Sequence, residues 1–238
     1  MWRNLRGLGA PQPCFVASTA PFSSKRWLKR HVSDPYAQRA VKEGTRSRAY
    51  YKFEEIEKRF GLMNKVKRGQ GGMRVVDLGS APGGWSLAVS KLARGGEGLL
   101  VSVDLLSMEP VGSISGDFQT HFIQGDFMKS TTRDRVTELV DGAKSVDLVV
   151  SDILHNTTGN KARDHDLSMN VVGDVIDFAA DHLKPGGSMV AKMLNGETSQ
   201  DYVQEAAELF KVARLFKPQA SRPESAEIFL VATGFAKK

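Results

Sequence analysis

A short β-branched run that holds an acid, a glycine-rich loop and a helical period follow one another without a break over residues 73–93. The run is residues 73–78 with Asp77 near its end, the loop is Gly79-Ser-Ala-Pro-Gly-Gly84, and apolar residues recur at helical spacing over 85–93. A strand that passes through glycines into a helix is half of a βαβ unit, and the same succession returns downstream. Strands are predicted over 99–103, 121–124, 146–151 and 188–193; the first three end at or near Asp104, Asp126 and Asp152, and the last holds Lys192. Helical patterns fall between them, most clearly at 133–140, 167–183 and 200–211. The expected fold class is α/β, a mostly parallel central sheet with helices on both faces. The tail breaks the alternation. Residues 213–216 and 227–232 read as strands joined only by the polar loop 217–225, so the last strand is expected to run antiparallel.

The chain has 238 residues, enough for one domain with a full core. With 41% apolar and 25% charged residues it falls outside the disordered and fibrous classes. No window approaches the run of about eighteen apolar residues that a membrane span needs. The single cysteine, Cys14, excludes an internal disulfide and a thiolate metal cluster, and no metal is expected. Lys and Arg number 33 against 27 acids, a net charge of +6 that is compatible with a polyanionic partner. The excess gathers in two places. Residues 1–31 carry bases and hydroxyl residues but no acid before Asp34, the composition of an organellar presequence, and Gly and Pro break its apolar residues too often for a secretory signal. A presequence over 1–23 and one domain over 24–238 are expected; a basic tail that binds RNA in place is the alternative. The second place is 39–68, where Tyr50, Tyr51 and Phe53 interleave with Arg46, Arg48 and Lys52. That pattern suits phosphate neutralisation with rings stacking nearby, and it equally suits an amphipathic helix with a solvated charged face.

In an open parallel sheet, ligands bind where loops leave the carboxyl ends of the strands. The glycine loop lets a ligand approach the backbone closely, and Asp104, 25 residues after Gly79, can accept both hydroxyls of a ribose. The dinucleotide fingerprint and the Gly-Lys-Ser/Thr phosphate loop are both absent. A nucleoside cofactor with no phosphate to hold is thereby favoured, S-adenosylmethionine (SAM) over NAD or ATP.

Ser24-Lys-Arg-Trp-Leu, Arg46-Ser-Arg-Ala-Tyr-Tyr-Lys52, Val76-Asp-Leu-Gly-Ser-Ala-Pro-Gly-Gly-Trp85-Ser, Val103-Asp-Leu-Leu, Gln124-Gly-Asp-Phe127, Val150-Ser-Asp152, Leu183-Lys-Pro-Gly-Gly187, Val190-Ala-Lys192 and Glu227-Ile-Phe-Leu-Val-Ala-Thr-Gly234 occur in this order. Together they resemble the FtsJ/RrmJ 2′-O-ribose RNA methyltransferases. The resemblance implies a Rossmann-like SAM-dependent fold and a catalytic tetrad at Lys52, Asp152, Lys192 and Glu227, with Lys192 as the base. It also implies a cofactor pocket of Pro82, Gly83, Gly84, Trp85, Asp104, Asp126 and Asp152. Singly, each residue has a plainer use: glycines for a tight turn, Trp85 for the core, Asp104 and Asp126 as helix caps, a strand lysine as an ion pair.

One departure stands out. Where that family usually continues Ser-Asp with Met or Gly and then Ala-Pro-Asn, this chain has Ser151-Asp-Ile-Leu-His-Asn156, which loses a proline and adds His155. The expected activity is 2′-O-methylation of a ribose, a uridine in organellar large-subunit ribosomal RNA, by a monomer in mitochondria, with a plastid as second choice. Methylation of a transfer RNA anticodon loop and a catalytically silent RNA-binding assembly factor are the alternatives.

Overall fold

The computed structural model describes residues 34–63, 72–93, 97–112 and 118–236. The expected presequence, Cys14, the start of the expected domain and the basic residues Lys65, Lys67 and Arg68 lie outside them. Two helices, α1 (Pro35–Glu43) and α2 (Ala49–Phe60), precede the first strand. Then come β1 (Met73–Leu78), α3 (Gly84–Leu92), β2 (Gly98–Asp104), β3 (Phe118–Gln124), α4 (Ser130–Leu139), β4 (Val146–Ser151) and α5 (Lys161–His182). β5 (Leu183–Leu194), α6 (Ser199–Leu209), β6 (Phe210–Phe216) and β7 (Glu227–Phe235) complete the order.

The strands form one sheet in the order β3-β2-β1-β4-β5-β7-β6, parallel from β3 through β5, with β7 antiparallel to both neighbours. Strand residues alternate between two cores. Val76, Val149, Ala191 and Leu230 pack under α4, α5 and α6, while Val75, Val150, Val190 and Phe229 pack under α2 and α3. Burial on both faces is why β1, β4, β5 and β7 read as mostly apolar runs.

The main departures from the sequence expectation are element ends. α5 begins at Lys161 rather than 167, because Asn160 caps it by accepting from the amides of Ala162 and Arg163 at 3.1 and 3.2 Å. Its first two turns are polar and carry no apolar period. β5 begins at Leu183 and so takes in Lys184-Pro-Gly-Gly187, with a shift of register between Val146 and Leu148 of its partner. α6 ends at Leu209, and Phe210 opens β6, because the pairing of β6 with β7 starts at Phe210 and Phe235. Among the described residues no helix is long and apolar enough to cross a membrane.

Candidate active site

The strand order reverses between β1 and β4, and the crevice outside their carboxyl ends is where this architecture places ligands. Leu78 pairs with Ser151, so the glycine loop and Asp152 leave the sheet side by side. β7 runs the other way, and its first residue, Glu227, pairs with Leu194 at the end of β5. An antiparallel last strand thus delivers its start to the edge where the parallel strands finish. Lys52 reaches the same edge from the buried face of α2.

These four side chains meet. Lys52 Nζ lies 2.7 Å from Glu227 Oε2, Lys192 Nζ lies 3.8 Å from that same oxygen, and Lys192 Nζ lies 3.1 Å from Asp152 Oδ1. Lys192 also donates to the Asp152 carbonyl at 3.1 Å, and Ser221 Oγ donates to Glu227 Oε1 at 2.7 Å. Ser221 was not foreshadowed in the sequence, where it is one more hydroxyl in a polar loop. Lys52 and Glu227 are buried, at 7% and 8% exposure, so an unpaired charge here would be expensive. Burial works against the charge on Lys192, but Asp152 and then Glu227 outweigh it and raise the ammonium above the ordinary lysine range. Burial likewise pushes Glu227 up, and the neighbouring Lys52 and Lys192 more than reverse this, leaving it below the usual carboxylate range. At rest Lys192 is therefore held as an ammonium and Glu227 as a carboxylate.

On the other side of the crevice, Asp104 ends β2 with its carboxylate between two loops. Its Oδ2 accepts from the Ala81 amide in the glycine loop and its Oδ1 from the Leu106 amide, both at 2.8 Å. Asp126 Oδ1 accepts from the Met128 amide at 3.0 Å. Neither acid caps a helix, since the N-cap of α4 is Lys129 and among the described residues no helix lies between β2 and β3; each carboxylate holds loop amides instead. Gly79 and Gly83 have φ of 74° and 100°, which favours glycine at each. A Cβ on Gly79 would stand 2.2 Å from Ile153 Cγ1, so the first residue of the altered loop after Asp152 packs directly on the glycine turn.

Beneath this loop lies Asp77, fully buried in β1. Its Oδ2 accepts from Ser86 Oγ at 2.6 Å, and Ser86 Oγ is 2.9 Å from Ser102 Oγ, while Oδ1 has no hydrogen-bond partner. Burial pushes its carboxyl from an ordinary 3.8 up to about 7, against the pull of the Ser86 hydrogen bond and with the charges of Asp152 and Asp104 adding to the rise. The folded chain then keeps a proton that the unfolded chain gives up between those two values. Its stability contribution falls as pH rises through that window and levels off above it. Asp77→Asn should therefore gain on the wild type by up to about 4 kcal/mol between pH 4 and 7. A difference in thermal midpoint that stays constant from pH 5 to 7.5 would contradict this.

Several expectations are corrected. Tyr50, Tyr51 and Phe53 are at 7%, 1% and 0% exposure, so their rings are core and cannot stack on a nucleic acid. Arg46 and Arg48 do not present free guanidinium groups: Arg46 donates to the carbonyls of Pro82, Glu109 and Pro110, and Arg48 to that of Ala220. The Trp85 ring lies between Phe53 and Phe229 at centroid distances of 5.4 and 5.5 Å. His155 Nε2 lies 3.9 Å from Asp164 Oδ1, and neither ring nitrogen makes a hydrogen bond. Pro82 is exposed and Gly84 is buried against Ser47.

A profile of the FtsJ-like methyltransferases matches residues 45–235. The chain belongs to this family. Among FtsJ-like relatives it is similar to proteins named ribosomal RNA large subunit methyltransferase E. It is 41% identical to that of Azorhizobium caulinodans over 221 residues, covering 92% of this chain and 86% of the other. For Marinobacter nauticus the identity is 42% over 213 residues, covering 90% and 96%. A crystal structure of a putative ribosomal RNA methyltransferase from Plasmodium falciparum superposes with a TM-score of 0.69 at 23% identity, covering 81% of this chain and 100% of that one, a likeness of fold. The match to the FtsJ-like profile ends at 235, the last residue of β7, and so takes in all four residues of the ionic cluster.

Proposed function

We propose that this methyltransferase uses SAM to methylate a ribose 2′-hydroxyl in large-subunit ribosomal RNA, a uridine, in mitochondria. The observation that carries the reading is the Lys52-Glu227-Lys192-Asp152 cluster, set at the reversal of strand order beside a glycine loop. The names of the relatives support ribosomal RNA as substrate class, and the acid-free basic residues 1–31 support the organelle.

The crevice suits SAM by its donor set. Carboxylates of Asp104, Asp126 and Asp152 stand at or just past the ends of β2, β3 and β4, a set matched to ribose hydroxyls, an amino group and positive charge rather than to phosphate. Leu105 and Leu106, 67% and 69% exposed, and Met128, 47% exposed, offer apolar surface for a purine beside those acids. When bound, SAM supplies an electrophilic methyl group on a positively charged sulfur.

The chain's own residues then have to free a hydroxyl of its proton. A 2′-hydroxyl is a weak nucleophile, and a base that takes its proton as the new O–C bond forms lowers the barrier. Lys192 is the group for this, and at rest it holds a proton of its own. Asp152 and Glu227 fix where Nζ sits and keep that proton on, and Lys52 shares Glu227 Oε2 with it. The amine is therefore unmasked by whatever weakens the carboxylates' hold, and the rate should rise with pH. The reading is tested by mapping 2′-O-methyl positions in mitochondrial RNA with and without the gene. One large-subunit uridine should lose its methyl group. Loss at a transfer RNA anticodon loop instead would move the substrate, and no change at any position would favour a silent assembly factor.

A further inference from the structure

Arg46 has a left-handed backbone, φ 63°, which costs a long side chain energy and persists only where surroundings enforce it. What enforces it is visible at the other end of the side chain. Nη1 donates to the Glu109 carbonyl at 2.5 Å and to the Pro82 carbonyl at 3.3 Å, and Nη2 donates to the Pro110 carbonyl at 2.9 Å. Pro82 belongs to the glycine loop after β1; Glu109 and Pro110 belong to the loop after β2. These are the two loops that Asp104 ties from within, through the Ala81 and Leu106 amides. Glycine at 83 leaves the space, since a Cβ there would stand 2.5 Å from Nη1. Next along the chain, Ser47 Oγ fills the space over Gly84, 2.3 Å from where a Cβ would be, and Tyr50 N donates to the Ser47 carbonyl at 3.2 Å. Lys52 follows within the first turns of α2.

We infer that Arg46 is a positioning residue of the cofactor pocket, whose guanidinium fixes the spacing of the two loops bracketing the nucleoside and joins it to the helix carrying Lys52. The inference rests on the reading that SAM lies between these loops. Only a planar fork of donors can serve three carbonyls on two segments at once; an ammonium is a single point. A guanidinium so engaged has little to offer a phosphate, which is why the basic spacing of 46 and 48 does not describe an RNA track.

The test compares the wild type with Arg46→Met and Arg46→Lys in the full chain. Without SAM, amide exchange should quicken in 80–84 and 105–112 in both variants and stay unchanged in β1 and β4. By calorimetry the SAM Kd should rise about ten- to a hundred-fold in both, and the kinetic loss should fall on KM for SAM more than on kcat. The lysine variant keeps stem and charge, and it decides the matter should the methionine variant not fold. A phosphate contact predicts the reverse: SAM affinity unmoved, lysine close to wild type, and a salt slope of RNA binding flatter by about one unit for methionine. That result overturns the inference. Failure of the wild-type chain itself to bind SAM would sink the cofactor reading instead. The exchange comparison still decides Arg46, and equal protection of both loops in all three proteins overturns its role.

Discussion

Lys192→Met is expected to lower the single-turnover methylation rate by about a hundred- to ten-thousand-fold while SAM still binds, the loss typical of a missing general base. Methionine keeps the length of the side chain but removes the donor that faces Asp152 Oδ1 and the Asp152 carbonyl. Glu227 keeps Lys52 at 2.7 Å, so one of the two carboxylates stays paired and the fold should survive with reduced stability. The pH profile separates a base from a mere ion pair. Because Asp152 and Glu227 raise the Lys192 ammonium above its ordinary range, the wild-type rate should climb with pH into the alkaline region. Asp152→Asn removes the larger of those two stabilising charges, so the limb should move to lower pH even as the overall rate falls. A rate for Lys192→Met within a few-fold of wild type, or a limb that moves upward in Asp152→Asn, would remove Lys192 from the role.

The central strands were legible because they are buried on both faces and so spell mostly apolar runs, as Val146–Ser151 does around Asp147. The start of α5 was not, because a polar first turn held by Asn160 leaves no period to detect. At the site, the resemblance named Lys52, Asp152, Lys192 and Glu227, and the order of strands and loops puts each near the carboxyl ends of the parallel strands. What it could not carry is the face each side chain takes. Tyr50 and Phe53 are three apart and Ile56 another three, the spacing of a buried helical stripe, yet the interleaved arginines made the same residues look like a stacking surface. Arg46 shows the limit most clearly. Its partners lie 36, 63 and 64 positions away, and nothing local distinguishes an arginine that braces carbonyls from one that meets phosphates. Asp77 did leave a local trace, an acid within a strand of Val and Leu, and such a residue is charged only at a cost.

Asp104→Ala should raise the SAM dissociation constant by about a hundred-fold or more, the largest binding effect expected of any single change in the pocket. Two losses combine. Ribose hydroxyls lose a carboxylate acceptor, where each hydrogen bond to a charged group contributes about 1.5–3 kcal/mol. The Ala81 and Leu106 amides lose the oxygens that hold the two loops in register. Asp104→Asn should recover little, because one carboxylate oxygen becomes a donor and must face either the Ala81 or the Leu106 amide, itself a donor. RNA affinity, read separately, should barely change. Since Asp104 braces from within the loops that Arg46 braces from outside, the two changes share partners and should not add. Arg46→Met in the Asp104→Ala background should cost less SAM affinity than it does alone. Full additivity would mean that the two residues act on different parts of the pocket, and an unchanged SAM affinity in Asp104→Ala alone would reduce that carboxylate to a cap for its own loop.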